Sequence, residues 1–224
     1  MKPAEQKRAL AAAVEAAGTA GELIRKNHRA AKKINDETQH DIKLELDVRC
    51  QKLIERAFIK QFPDVAVLGE EGVAGDENAE SRWVIDPIDG TVNFTYGIPH
   101  CCVSIALQSR SLKTGKYETT AGVVYDPFCD EMWTALRGGP AKLNGRVIKV
   151  SSRKKLNEAI ASIGFAKSKE TMEQTLPYFN RLLPRIRKIR MMGAAALSLV
   201  YVASGRFDAY IEKGIRLWDI AAGG

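Results

Sequence analysis

Apolar positions recur first at a helical spacing and then in short runs suited to strands. Over residues 4–27, Leu10, Val14, Ala17, Leu23 and Ile24 fall near one face, which predicts an amphipathic helix. The polar stretch from Lys32 to His40 predicts a loop. Asp47 to Gln61 predicts a second helix, with Leu53, Ile54, Ala57 and Phe58 on its inner side. Val65-Ala66-Val67-Leu68 reads as a short buried strand, and the glycine- and acid-rich residues 69–81 as a loop. Trp83-Val84-Ile85, Cys102 to Leu107, Ala121 to Tyr125, Glu131 to Leu136 and Val147 to Val150 predict further strands. Gly138-Gly139-Pro140 and Asn144-Gly145 mark turns among them.

Beyond Ser151 the pattern becomes an alternation. It predicts a strand (Ala159 to Ile163), a helix (Lys169 to Leu183), a strand (Ile186 to Arg190), a helix (Ala194 to Ser204) and a strand (Phe207 to Ile211). A strand-rich α+β half, residues 1–150, followed by an α/β half, residues 151–224, is the expected organisation. No flexible linker separates the two, so a rigid joint is expected.

Hydrophobic residues make up 45% of the 224, enough for one large core or two intimately packed ones. No apolar run approaches the roughly 20 residues that span a bilayer. Lys2, Lys7 and Arg8 precede Leu10-Ala11-Ala12-Ala13-Val14, but Glu15, Gly18 and Glu22 break the run. It does not read as a secretory leader, and a cytoplasmic location is expected. Cys50, Cys101, Cys102 and Cys129 match no zinc or redox spacing and are expected as buried or half-buried thiols. With only His28, His40 and His100 available, a histidine-rich metal site is not expected. Net charge is +7, much of the excess lying in Arg181, Arg185, Arg187, Lys188 and Arg190. Such a run attracts polyanions, nucleic acid or a phosphorylated substrate, or is simply a solvated face. No aromatics interleave with it as a base-stacking platform requires.

The chemistry concentrates in Trp83-Val84-Ile85-Asp86-Pro87-Ile88-Asp89-Gly90-Thr91-Val92-Asn93-Phe94, where an apolar strand runs out into a glycine turn between two carboxylates. Magnesium takes oxygen ligands, a few of them carboxylates. Paired ions roughly 3.5–4 Å apart need one carboxylate able to bridge them, and Asp86 is placed for that. Pro87 fixes the backbone after it. The turn can aim the Ile88 carbonyl and Asp89 at the same volume, and Gly90 lets the chain approach a phosphate. Thr91 opens a predicted short helix with free N–H groups, and its hydroxyl can orient a water. Glu70 and Glu71 follow Val67-Leu68-Gly69 at another strand end, where paired acids repel unless a cation is present. Asp219 and Asp47 each stand at a predicted helix start, a common place for a purely structural cap.

These segments, with Leu143-Asn144-Gly145-Arg146 and Trp218-Asp219-Ile220-Ala221-Ala222-Gly223, run in an order and spacing that resembles the inositol monophosphatase family of lithium-sensitive, magnesium-dependent phosphatases. The resemblance implies a layered αβαβα sandwich and a homodimer. It implies a first ion on Glu70, Asp86 and the Ile88 carbonyl, a second on Asp86, Asp89 and Asp219, and a weaker third site near Glu71. Asp47 and Thr91 would pair to orient the attacking water, with Glu70 also catalytic. Gly90 and Thr91 would bind phosphate, while Gly193, Ala194, Ala195 and Glu212 would face the rest of the substrate. The implied reaction is hydrolysis of a small phosphorylated polyol, inositol monophosphate first, by in-line attack of an activated water. Fructose 1,6-bisphosphate, histidinol phosphate and a nucleotide 3′,5′-bisphosphate are the alternative substrates. An RNA- or protein-binding regulator using Arg181 to Arg190 is the alternative class.

Three departures stand out. Ala194 occupies a position where the family often has a hydroxyl. Lys43 lies in Ile42-Lys43-Leu44, where a Val-Thr-like pair is more usual, which bears on a third metal site. Family members generally continue some tens of residues past the Trp-Asp segment, so the C-terminal half is expected to be cut short at Gly224. Other phosphatase chemistries fit poorly: Leu107 and Gln108 stand where a Cys-x5-Arg site at Cys101 or Cys102 needs its arginine, and no Asp-x-Asp, Walker loop or Gly-x-Ser-x-Gly elbow is present.

Overall fold

A computed structural model describes residues 3–38, 42–76, 78–164 and 169–224. Gln39 and His40 of the expected first loop, and Glu77 of the second, lie outside the described residues. Helix α1 (Pro3–Asn27) leads to an antiparallel pair, β1 (Ile34–Glu37) and β2 (Ile42–Leu44), and then to α2 (Glu45–Gln61). A large sheet follows: β3 (Ala66–Gly69), β4 (Gly72–Ala74), β5 (Ser81–Asp89), β6 (Cys102–Arg110), β7 (Tyr117–Asp126), β8 (Glu131–Leu136), β9 (Lys142–Leu143) and β10 (Arg146–Val147), with α3 (Thr91–Thr95) between β5 and β6. Its spatial order is β10-β9-β8-β7-β6-β5-β3-β4. The last part holds β11 (Ile160–Ile163), α4 (Lys169–Leu182), β12 (Lys188–Arg190), α5 (Ala195–Ala203), β13 (Ala209–Ile211) and α6 (Leu217–Ile220). There β12-β11-β13 form a second, parallel sheet.

The central strand shows how the layers arise. Side chains alternate across a strand. Trp83 and Ile85 therefore join the core beneath α1 and α2, while Val84 joins Ala106 and Ala221 on the opposite face. On that second face α5 packs Ala196, Leu197 and Val200 against Cys102, Val124 and Trp133. The order is α1 and α2, the eight-stranded sheet, α5 and α6, the three-stranded sheet, and the crossover helix α4. This is the expected αβαβα sandwich.

Some local expectations need correction. The buried face of α1 is a stripe of alanines, Ala9, Ala13, Ala16, Ala17 and Ala20, with Ile24; Leu10, Val14 and Leu23 flank it half-buried. Small side chains let the helix lie close on the sheet. A Cβ at Gly21 would stand 2.4 Å from the Tyr125 ring. The two predicted loops each contain a strand: β1, hidden by its polar residues Asn35, Asp36 and Glu37, and β4, only three residues long and set among glycines and acids. The strand expected at Val147 to Val150 is instead β10, which ends at Val147. Cys129 is exposed rather than half-buried.

Phe58 of α2 stacks on Trp83 with ring centroids 4.0 Å apart and planes 12° from parallel, both rings fully buried. Phe58→Ala is expected to cost about 3–5 kcal/mol, read as the shift in chemical unfolding midpoint.

Candidate active site

Two acids three residues apart on a regular strand would point to opposite faces. Here β5 steps three residues, Asp86 to Asp89, while β6 steps two, Ser104 to Cys102. This one-residue bulge restores Asp89 to the face of Asp86. Pro87, which cannot donate to a ladder, sits inside the bulge. The Ile88 N–H turns onto Asp86 Oδ1 at 3.1 Å. Gly90 then takes a φ of 96°, a left-handed backbone that suits glycine, and a Cβ there would lie 3.0 Å from the His100 carbonyl. The chain turns into α3 directly after it.

Asp219 arrives from α6, its carboxylate held by the Arg216 N–H at 2.8 Å. The Ser104 hydroxyl ties α6 to β6 by donating to the Trp218 carbonyl at 3.2 Å. Asp89 is fixed by the N–H groups of Ala195 (3.1 Å) and Ala196 (2.8 Å) and by the Cys102 thiol (3.5 Å). Carboxylate oxygens of Asp86, Asp89 and Asp219 come within 4.8 Å of one another. They open onto a cleft of about 390 Å³ that Glu70, Ile88, Gly90, Thr91, Asn93, Gly193, Ala194, Ala195 and Glu212 also line.

Burial, reinforced by Glu70, Asp89, Asp219 and Asp47, holds the Asp86 carboxyl well above the usual aspartate range. Burial and Asp219 push Asp89 in the same direction, partly offset by its hydrogen bonds to Ala195 and Ala196. Three acids forced together in a buried place are costly unless protonated or matched by a cation. An all-oxygen donor set of this kind suits a hard divalent ion, and Glu70 and the Ile88 carbonyl extend it along the same cleft.

Asp47 and Glu71 do not line the cleft. Asp47 Oδ2 accepts the Leu44 N–H at 2.7 Å, securing the start of α2, while Oδ1 is buried without a hydrogen-bond partner among the described residues. Burial pushes its carboxyl up to about 8, with Glu71 and Glu70 adding to the rise and the Leu44 N–H and Lys43 opposing it. The Thr91 hydroxyl donates to the Ile88 carbonyl at 2.9 Å. The implied Asp47–Thr91 hydrogen bond is therefore not formed, because Thr91 closes its own turn instead. Lys43 Nζ lies 3.9 Å from Glu71 Oε1, so the acidic pair does meet a cation, although none is near in sequence.

Several residues of the site carry no sequence signal of their own. Ser162 and Ser198 form a buried hydroxyl pair at 3.0 Å in the cleft wall. Ser198 also donates to the Ala194 carbonyl at 2.9 Å, which makes Ser162 the donor of the pair. The Tyr210 hydroxyl donates to Glu212 Oε2. These two residues alternate on β13 and its continuation, so their spacing alone would place them on one face. A Cβ at Gly164 would overlap the Glu212 carboxylate, so that glycine makes room for it.

A carboxylate cluster at the end of a central strand, facing a cleft lined by small residues and further acids, marks a metal-dependent phosphatase. The family pattern described as "Inositol monophosphatase family" matches residues 5–224, and the chain belongs to that family. Inositol monophosphatase 1 of Solanum lycopersicum is 40% identical over 96% of this chain and 79% of its own. Nus factor SuhB of Xylella fastidiosa is 39% identical over 97% of this chain and 78% of its own. Among solved structures, the extragenic suppressor protein suhB of Bartonella henselae superposes with a TM-score of 0.89 at 33% identity, covering 96% of this chain and 82% of that one. No helix among the described residues is long and apolar enough to cross a membrane.

Proposed function

We propose that this chain hydrolyses a small phosphorylated polyol, inositol monophosphate first among them, with two magnesium ions bound at the cluster. The observation that carries the proposal is the bulge-driven convergence of Asp86, Asp89 and Asp219 beside the Gly90 turn. Glu70, Asp86 and the Ile88 carbonyl would hold one ion, and Asp86, Asp89 and Asp219 the other. Bound there, the ions would supply Lewis-acid charge to offset that on the attacking and leaving oxygens. The salt bridge from Lys43 to Glu71 provides charge where a third ion would otherwise be needed, which favours two ions over three.

The chain's own residues supply the rest. The backbone N–H groups of Gly90 and Thr91 face the phosphate. Asp47, whose carboxyl burial raises in the metal-free chain and whose Oδ1 is unpartnered among the described residues, would orient the attacking water together with Thr91. Gly193, Ala194 and Ala195 form an apolar, small-residue wall. Glu212, oriented by Tyr210, accepts hydrogen bonds from substrate hydroxyls. Asp86 and Asp89 need fixed orientations, and the Ile88, Ala195 and Ala196 N–H groups provide them. The protein is read as a cytoplasmic homodimer.

The test is magnesium-dependent phosphate release from inositol 1-phosphate, fructose 1,6-bisphosphate, histidinol phosphate and adenosine 3′,5′-bisphosphate, with and without lithium. Lithium-sensitive turnover strongest on inositol 1-phosphate, and lost in Asp89→Asn, is expected. Preference for another member of the panel would replace the substrate and keep the chemistry. Relatives named Nus factor SuhB favour a second reading, in which Arg181 to Arg190 bind a macromolecular partner. A folded protein that releases phosphate from none of the four would promote that reading.

A further inference from the structure

Asn93 belongs to the same motif as the acids, yet no metal-binding or phosphate-binding role falls to it. Its amide nitrogen donates to two carbonyls, that of nearby His100 at 2.9 Å and that of Met192, far along the chain, at 2.8 Å. Both partners can only accept, so they fix which end of the amide faces them. The segment that follows Met192 is the one on which the site depends. Gly193 takes a φ of 72°, and a Cβ there would stand 3.0 Å from Asn93 Nδ2. Ala195 and Ala196 then hold the two oxygens of Asp89 through their N–H groups. On the other side, a Cβ at Gly90 would lie 3.0 Å from the His100 carbonyl and 3.2 Å from the Gly193 carbonyl. Three stretches of chain thus close on one point, and the Asn93 side chain joins them.

We propose that Asn93 is a positioning residue that pins residues 192–196 against the Asp89 turn, so that metal affinity and substrate affinity are set together through one amide. The proposal rests on the phosphatase reading above. Without the tie, the side-chain hydrogen bonds that remain between residues 192–196 and the turn, among the described residues, are those from Ala195 and Ala196 to Asp89. The N–H groups that orient Asp89 then lose their fixed place, and the Gly193-Ala194-Ala195 wall of the cleft moves with them. The reacting groups are untouched once both ligands are bound. Binding therefore suffers more than turnover.

The experiment uses the full chain. Magnesium binding is measured by titration calorimetry without substrate, and KM and kcat are measured separately on inositol 1-phosphate or the best substrate of the panel. Losing two hydrogen bonds in Asn93→Ala is expected to weaken magnesium binding about tenfold and raise KM by a similar factor. kcat at saturation should change less than about threefold. Gly193→Ala loads the same joint from the other side and is expected to give the same signature. Thr95→Ala, which removes only the hydroxyl bond from Thr95 to the Thr91 carbonyl within α3, should leave all three quantities at wild-type values. Unchanged magnesium binding and KM in both joint variants would overturn the proposal, as would a Thr95→Ala variant that loses binding equally. A wild-type chain that binds no magnesium would instead remove the phosphatase reading on which the proposal rests.

Discussion

Asp86→Asn is expected to abolish turnover while making the metal-free protein more stable. The carboxylate is the one placed to bridge two ions, and removing its charge forfeits several kcal/mol of transition-state stabilisation, a fall in kcat on the order of a thousandfold. The same change relieves the fold. Asp86 is fully buried, with Glu70, Asp89, Asp219 and Asp47 all acting against its ionisation. An amide keeps an oxygen for the Ile88 N–H and carries no charge. A metal-free melting temperature about 5 °C above wild type at pH 8 is the expected result. Opposite signs for activity and stability are the signature of a site built for a ligand it must bind. Lower stability combined with retained turnover would mean that Asp86 is a structural residue.

The second large effect is the pH dependence of the metal-free chain. Burial raises the folded-state carboxyls of Asp47, Asp86 and Asp89, Asp47 from 3.8 to about 8. Between those values the native state holds protons that the unfolded chain has released. The slope of unfolding free energy against pH follows protons bound unfolded minus protons bound native, and it is negative here. Stability contributed by these groups is full below pH 4 and is lost as pH climbs through about 8. The melting temperature in EDTA is expected to fall by on the order of 10 °C between pH 5 and pH 8. Magnesium should restore it at the upper end, since a ligand of the native state stabilises that state. A metal-free melting temperature that is flat or rises over this range would contradict the raised values.

The sequence made the acids legible but not the device that assembles them. Asp86, Asp89 and Glu70 stand out because acids crowded at strand ends repel one another unless a cation is present, whereas Asp219, at a helix start where a carboxylate is commonly a cap, is picked out by the resemblance. Strict alternation, however, puts Asp86 and Asp89 on opposite faces, and only the bulge against Ser104 and Cys102 brings them together. A bulge is a relation between two strands, so one strand's residues do not announce it. Asp47 looked like a helix-start residue and like a catalytic one. The structure shows the first role through Leu44 and leaves Oδ1 buried beside the site, without a hydrogen-bond partner among the described residues. The Thr91 hydroxyl, a candidate for orienting water, is taken up locally by the tight turn after Ile88. Long helices and apolar strands followed from periodicity. Strands β1 and β4 did not, because β1 exposes the polar side chains of a loop and β4 is a three-residue edge strand that begins on a glycine. Ser162 and Asn93 are ordinary residues whose importance lies in partners far along the chain, Ser198 and Met192, while Tyr210 acts on its near neighbour Glu212.

The most direct test is a crystal structure with manganese in place of magnesium, with the ions located by anomalous scattering. The account predicts two peaks roughly 3.5–4 Å apart. One should touch Glu70, Asp86 and the Ile88 carbonyl, the other Asp86, Asp89 and Asp219. A single ion, or ions bound elsewhere in a protein that still releases phosphate, would contradict it.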